Sequence, residues 1–159
     1  MDMLPDERAG LIASYIAGPD VIDGALAGIT PAELDSPEAP GEWSPRQIVH
    51  HLADSETTSA IRLRRLLVED DPLIQGYDQD AFARLLHYDR DIAPSLALFR
   101  AVRASTAELL RRMSDADRRR SGTHSDSGPY TTADWLRIYG VHADEHAAQI
   151  GRGRAAARS

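Results

Sequence analysis

Ser44-Pro45-Arg46-Gln47-Ile48-Val49-His50-His51-Leu52 reads as the opening of a long helix. Ser44 can cap the helix, Pro45 suits its first position, and Gln47 stands three residues after the cap, where its side chain can reach back. Ile48, Leu52, Leu63 and Leu66 then carry an apolar stripe to about Val68. Three other segments have the same character. The first covers about Pro5 to Ala17 on Leu11, Ile12, Tyr15 and Ile16, breaks at Gly18-Pro19, and resumes through Val21, Ile22 and Leu26 to about Gly28. The third runs from about Ile92 to Met113 on Leu96, Phe99, Val102, Thr106 and Leu109. The fourth opens on a second capping sequence, Thr131-Thr132-Ala133-Asp134, and continues to about Ile150.

The connections are uneven. Thr30-Pro31-Ala32-Glu33 reads as a capped single turn, Glu69–Arg90 as a long crossover with a short helix around Asp80–Leu86, and Ser114–Tyr130 as a loop. The Gly/Ala/Arg tail after about residue 151 is expected to fray. Four amphipathic helices and no other long element predict an all-α four-helix bundle, one domain over residues 1–159. A helix of ~22 residues is roughly 33 Å long, and the crossover between helices two and three can span it at ~3.3 Å per residue. That favours an up-down-down-up topology.

Composition narrows the function. Hydrophobic residues make up 42% of the 159, enough for a buried core. The 18 basic residues, all arginine, stand against 25 acidic ones. The net charge of −7 repels phosphate backbones and anionic headgroups, so neither nucleic acid nor membrane is an expected partner. There is no cysteine, which excludes thiolate metal sites and a cysteine nucleophile. No apolar run reaches the ~18–20 residues that span a bilayer. The start of the chain, with Asp2, Asp6 and Glu7, does not resemble a secretory signal, and a cytoplasmic location is expected.

The histidines carry the chemistry. At ~100° per residue from Trp135, His142 falls near −20° and His146 near +20°, in the middle of the fourth helix's apolar stripe. One such ring is more often a hydrogen-bonded core residue than a ligand. Two at i, i+4 can aim ring nitrogens at one ion. His51 lies about 100° from the direction of Leu52, on the flank of the second helix's core face, while His50, about 160° away, points to solvent. His51 is about 9 Å from the start of its helix, and the His142/His146 midpoint about 10 Å from an end at Ile150. The depths match only if the two helices are antiparallel. Three neutral imidazoles leave a divalent ion at least one open position, as catalysis requires and a closed structural site does not. Zinc, nickel and iron(II) all accept such ligands.

The run Glu42–Glu56, including Trp43-Ser44-Pro45 and His50-His51-Leu52-Ala53-Asp54, resembles the second-helix signature of the DinB-like superfamily in its YfiT-like branch. His142-Ala143-Asp144-Glu145-His146-Ala147-Ala148-Gln149-Ile150 resembles that family's fourth-helix signature. The likeness extends over nearly the whole chain, through Tyr77-Asp78-Gln79-Asp80 and Leu96–Arg103. It implies an up-down-down-up bundle, a divalent ion on His51, His142 and His146 (zinc or nickel ahead of iron), and a homodimer acting on a small-molecule substrate. It also implies a metal-dependent hydrolase or, as in some relatives, a transferase using a small thiol such as mycothiol or bacillithiol.

Other residues are weighed against simpler roles. Glu56, near the apolar face of the second helix, is either a base or outer partner at the metal, or the ion-pair partner of an arginine on a neighbouring helix. Asp54 is expected in solvent. Trp43 reads as a staple before the helix cap and Tyr139 as core. His87 and His124 read as surface residues, and Arg118-Arg119-Arg120 as a solvated helix end or loop. Two chemistries stand first, hydrolysis through a metal-bound water and transfer of a cofactor thiol. A non-catalytic metal-binding, dimerising module is the alternative. DNA binding, suggested only by the family's damage-inducible name, is opposed by the charge.

Overall fold

The computed structural model describes residues 3–159. Four long helices form the bundle: α1 (Pro5–Leu26), α3 (Pro45–Val68), α5 (Ala93–Arg112) and α7 (Thr132–Ala157). Between them lie the single turns α2 (Pro31–Leu34) and α6 (Asp115–Arg118), the short helix α4 (Gln79–Leu85), and the strands β1 (Leu73–Ile74), β2 (Ser121–His124) and β3 (Gly128–Thr131). The caps form where the sequence places them. At α3, Gln47 N–H donates to Ser44 Oγ, and Gln47 Oε1 accepts from Ser44 N–H. Thr131 and Asp134 make the same reciprocal pair at α7.

Bonds between helices give the directions. Glu7–Arg137, Ser14–Asp144 and Ala25–Arg154 climb together, so α1 and α7 are parallel. His50–Ser95, Glu56–Arg103 and Arg64–Thr106 make α3 and α5 parallel. Tyr15–Arg103 and Asp23–Arg100 run oppositely, as do His51–His146 and Ser59–Trp135. The bundle is therefore up-down-down-up, with the crossover between α3 and α5.

At the centre is an arginine that the sequence reading passes over. Arg103, 1% exposed on α5, binds each of the other three long helices. Its Nε donates to Glu56 Oε2 at 2.8 Å, Nη1 to the Tyr15 carbonyl at 2.8 Å, and Nη2 to the Tyr139 carbonyl at 3.0 Å. The Tyr15 hydroxyl donates to the other Glu56 oxygen, and burial followed by the Glu56 charge keeps that phenol protonated. The same arginine explains why α1 does not break at Gly18-Pro19. Pro19 lacks the N–H that would bond the Tyr15 carbonyl four residues back, and Arg103 supplies the donor instead. Gly18 must be glycine here, because a methyl would collide with the guanidinium.

Four other expectations are corrected. The Ser114–Tyr130 segment is not a plain loop but α6 and a β2–β3 hairpin, with β1 of the crossover added parallel to β2. Its strands are too short, and too rich in Gly and Pro, to show alternation. Arg120 is not solvated: it donates to the Leu66 and Glu69 carbonyls and caps the end of α3. The tail after residue 151 is not frayed. α7 continues to Ala157 because Arg154 and Arg158 reach Glu33 in α2, and Gly153 lies against Pro45 and Ser36. The depth count from Ile150 thus stops short of the true end of α7; the antiparallel pairing it implied is nevertheless the one observed. Asp54 is also not free in solvent, since it accepts from the Tyr88 hydroxyl at 2.6 Å.

Candidate metal centre

The capped start of α3 places His51 in its second turn, facing α7. The i, i+4 spacing puts His142 and His146 on adjacent turns facing back. One potential ligand atom from each of the three rings lies within 4.8 Å of the other two. The ring centroids are 5.3 Å (51 to 142), 4.9 Å (51 to 146) and 4.6 Å (142 to 146) apart. His142 Nε2 and His146 Nε2 are separated by 3.2 Å. Two imidazoles bound at ~2.0 Å to one tetrahedral ion would sit roughly 3.3 Å apart.

The rings are prepared to be neutral. Burial, reinforced by the neighbouring imidazoles, lowers the His51 pKa to about 3 and the His142 pKa to about 2. Burial also lowers that of His146, against a rise from Gln149. At neutral pH no proton has to be displaced before a lone pair can bind a cation. Gln149 Oε1 stands 2.9 Å from His146 Nδ1. An amide oxygen only accepts, so Nδ1 carries the proton and Nε2 presents its lone pair to the other rings. His51 packs against Trp43, with centroids 4.6 Å apart, and His142 against Tyr139 at 5.8 Å. His51 Nδ1 and His142 Nδ1 are buried without a hydrogen-bond partner. A convergent set of neutral nitrogens fits a divalent ion of imidazole preference.

The remaining candidates go elsewhere. Glu56 is outside the histidine group, with both oxygens taken by Tyr15 and Arg103; of its two expected roles the structure shows the ion pair. His50 does not point to solvent: it is fully buried, with Nδ1 2.7 Å from Ser95 Oγ and Nε2 3.1 Å from the Arg90 carbonyl. The helical count cannot see that the returning crossover covers this outer face. Trp43 does touch a site residue. Tyr139 is core, and its hydroxyl accepts from Arg62 at 3.0 Å. His87 is exposed, and His124 Nδ1 accepts from the Asp126 N–H at 3.2 Å. Gln149 is the supporting residue that the histidine pattern alone does not single out; its position three residues after His146, on the same helical face, is the signal that marks it. A cavity of 560 Å³ lies at the other end of α7, lined in part by Arg8, Leu110, Arg118 and Leu136, away from the histidines.

The sequence profile of the DinB superfamily matches residues 15–150. The chain belongs to the DinB superfamily. Among relatives of this DinB protein, one from Oceanobacillus iheyensis, named "putative metal-dependent hydrolase", is 33% identical over 132 residues, covering 83% of this chain and 77% of its own. Another of the same description, YfiT of Bacillus subtilis, is 35% identical over 134 residues, covering 83% and 75%. The solved structure of Bacillus subtilis YfiT, described as an unusual four-helix bundle topology, superposes with a TM-score of 0.90 at 31% identity over 97% of this chain and 89% of that one. The four-helix bundle protein TT2238 shares the fold, with a TM-score of 0.62 at 23% identity. Among the described residues, no helix is long and apolar enough to cross a membrane.

Proposed function

We propose that this DinB protein is a metal-dependent hydrolase of a small-molecule substrate, with His51, His142 and His146 holding one divalent ion, zinc or nickel ahead of iron. The observation that carries this reading is the convergence of three neutral imidazoles, one buried and two half-buried, from two antiparallel helices, with no protein carboxylate in the group among the described residues. Bound there, such an ion supplies Lewis acidity, lowering the pKa of a water in its open position and polarising a substrate carbonyl. The chain's own work is positioning. Gln149 fixes the His146 tautomer, Trp43 and Tyr139 wall in His51 and His142, and the Arg103 network holds α3, α5 and α7 at fixed spacing. Two relatives named "putative metal-dependent hydrolase" support the same chemistry here. The homodimer belongs to this proposal, and sedimentation should return twice the chain mass.

Metal analysis of the purified protein should find about one ion per chain. His51→Ala, His142→Ala and His146→Ala should each lose it while the helical circular dichroism persists. A panel of esters and amides should be turned over in plain buffer and protected by a chelator. Turnover that appears only after mycothiol or bacillithiol is added would replace hydrolysis with thiol transfer. Metal retained by all three variants would end the proposal.

A further inference from the structure

Among the described residues, five buried side-chain atoms have no hydrogen-bond partner: His51 Nδ1, His142 Nδ1, Arg62 Nε and the hydroxyls of Tyr77 and Tyr130. Buried polar groups are nearly always paired, so a concentration of exceptions has a cause. These five lie along one seam. On α3, His51, Ser55, Ser59 and Arg62 follow at helical spacing and share a face. α7 answers with His146, His142, Tyr139 and Trp135: His51 meets both histidines, Trp135 Nε1 donates to the Ser59 carbonyl, and Arg62 donates to the Tyr139 hydroxyl. Tyr77, from the crossover after β1, and Tyr130, from β3, cover the seam beside Arg62.

The two histidine atoms are on rings already assigned to the metal centre. The other three are a separate matter, because they gather at Arg62, a cation with no ion-pair partner among the described residues. Arg62 is half-buried and forms no salt bridge to any described carboxylate, although the protein has a surplus of seven acidic groups. Its Nη atoms bond neutral oxygens only, the Tyr139 hydroxyl at 3.0 Å and the Gln75 carbonyl at 2.7 Å. Its guanidinium carbon lies 5.7 Å from the Tyr77 ring centroid. Tyr130 is only 5% exposed. Both phenols lie close enough to Arg62 to feel its charge; Tyr77 also faces Ser55 and the Asp54 carboxylate, and Tyr130 the Asp134 carboxylate. A cation withdrawn from water without a counter-charge is costly, and so are unspent donor hydrogens. One guanidinium N–H and two phenolic O–H groups call for an acceptor-rich monoanion. A single guanidinium suits a carboxylate better than a phosphate dianion.

We propose that Arg62, Tyr77 and Tyr130 form a carboxylate subsite of the metal centre, so that the substrate is a carboxylate-bearing small molecule with its acid group at the Arg62 end of the α3–α7 seam. This rests on the hydrolase reading, since it names the substrate class of that same centre. Tyr139 is the link between the two ends, with its hydroxyl on Arg62 and its ring on His142.

The test is calorimetric titration of the metal-loaded protein with benzoate and hexanoate, each against its neutral amide, and with inorganic phosphate. At least one carboxylate should bind about tenfold tighter than its amide, the worth of a charge-assisted bond. Arg62→Met should erase that preference, and Arg62→Lys should keep part of it. Tyr77→Phe and Tyr130→Phe should each weaken the carboxylate several-fold, leave the amide unchanged, and retain one metal per chain. Either phenylalanine variant carries the test if Arg62→Met fails to fold. Equal affinity for acid and amide, no binding of either acid, phosphate tighter than both, or a preference that survives Arg62→Met would overturn the subsite, with water alone then satisfying the three donors. His142→Ala separates the two readings: it should lose the metal and keep the carboxylate preference, so a failed metal centre shows in metal content and a failed subsite in the acid–amide ratio.

Discussion

The interior of the bundle holds two polar clusters, built to opposite rules. Around Arg103, every charge has a counter-charge or a bond: Glu56 balances the guanidinium, Tyr15 takes the second carboxylate oxygen, and two backbone carbonyls each accept from one terminal nitrogen. Along the α3–α7 seam, three imidazoles crowd together and an arginine stands without an anion. A closed cluster gives each of its polar atoms a partner in holding helices together. An open one keeps capacity in reserve, and that reserve is what a ligand can use.

The largest effect should come from opening the closed cluster. Arg103→Met leaves Glu56 buried without its counter-charge and the Tyr15 carbonyl without a donor opposite Pro19. A broken buried pair costs about 3–5 kcal/mol, so urea unfolding should shift by that amount. Adding Glu56→Leu should recover a large part of the loss, because removing both charges removes the desolvation penalty as well. A double variant as unstable as the single one would show that the pair is not the source of the effect. His142→Ala, in the open cluster, should cost the metal-free protein less than Arg103→Met while abolishing metal binding.

Next in size is a change that loosens the open cluster without deleting a ligand. Gln149→Leu removes the acceptor that holds His146 Nδ1–H, and supports of this kind are worth ~10–100-fold in metal affinity. Competition against a chromophoric chelator would read that loss, and Gln149→Glu, which still accepts, should avoid most of it. Unchanged affinity in the leucine variant would mean that packing alone orients the ring.

These two clusters were unequally legible in the sequence. His142 and His146 declare themselves because a helical count puts both on an apolar stripe, and that count depends only on residues within one helix. His51 needed one step more, the pairing of α3 with α7. Arg103 falls four residues after Phe99 and three before Thr106, on the buried stripe of α5, a signal as strong as that of the histidines; its significance depends on Gly18, Pro19 and Glu56, which two other helices bring to it. His50 illustrates the same point in reverse: its helix turns it outward, and the crossover, a segment with no periodicity of its own, covers it. Arg62 and the two phenols of the seam were invisible because Tyr77 and Tyr130 sit in connections whose path no local pattern fixes.

The smallest expected effect extends the contrast to the surface, where Glu33 closes a third cluster. Its carboxylate accepts from the Thr30 N–H at 2.8 Å and from Arg158 Nε at 2.6 Å, with Arg154 3.7 Å away. The Thr30 bond, helped by Arg158, lowers its pKa to about 2. A carboxylate whose folded pKa lies below its unfolded one stabilises the fold above the unfolded value, and that contribution fades as pH falls towards the folded value. The window is therefore from about 4.5 down to about 2. Within it the last turns of α7, residues 151–157, should exchange their amides faster than at pH 6 once intrinsic rates are corrected. Glu33→Gln should produce the same local loosening already at pH 6, with no change in metal content. Equal protection of those turns in the variant and the parent protein would mean that Gly153 packing against Pro45, rather than the arginines, holds the end of α7 in place.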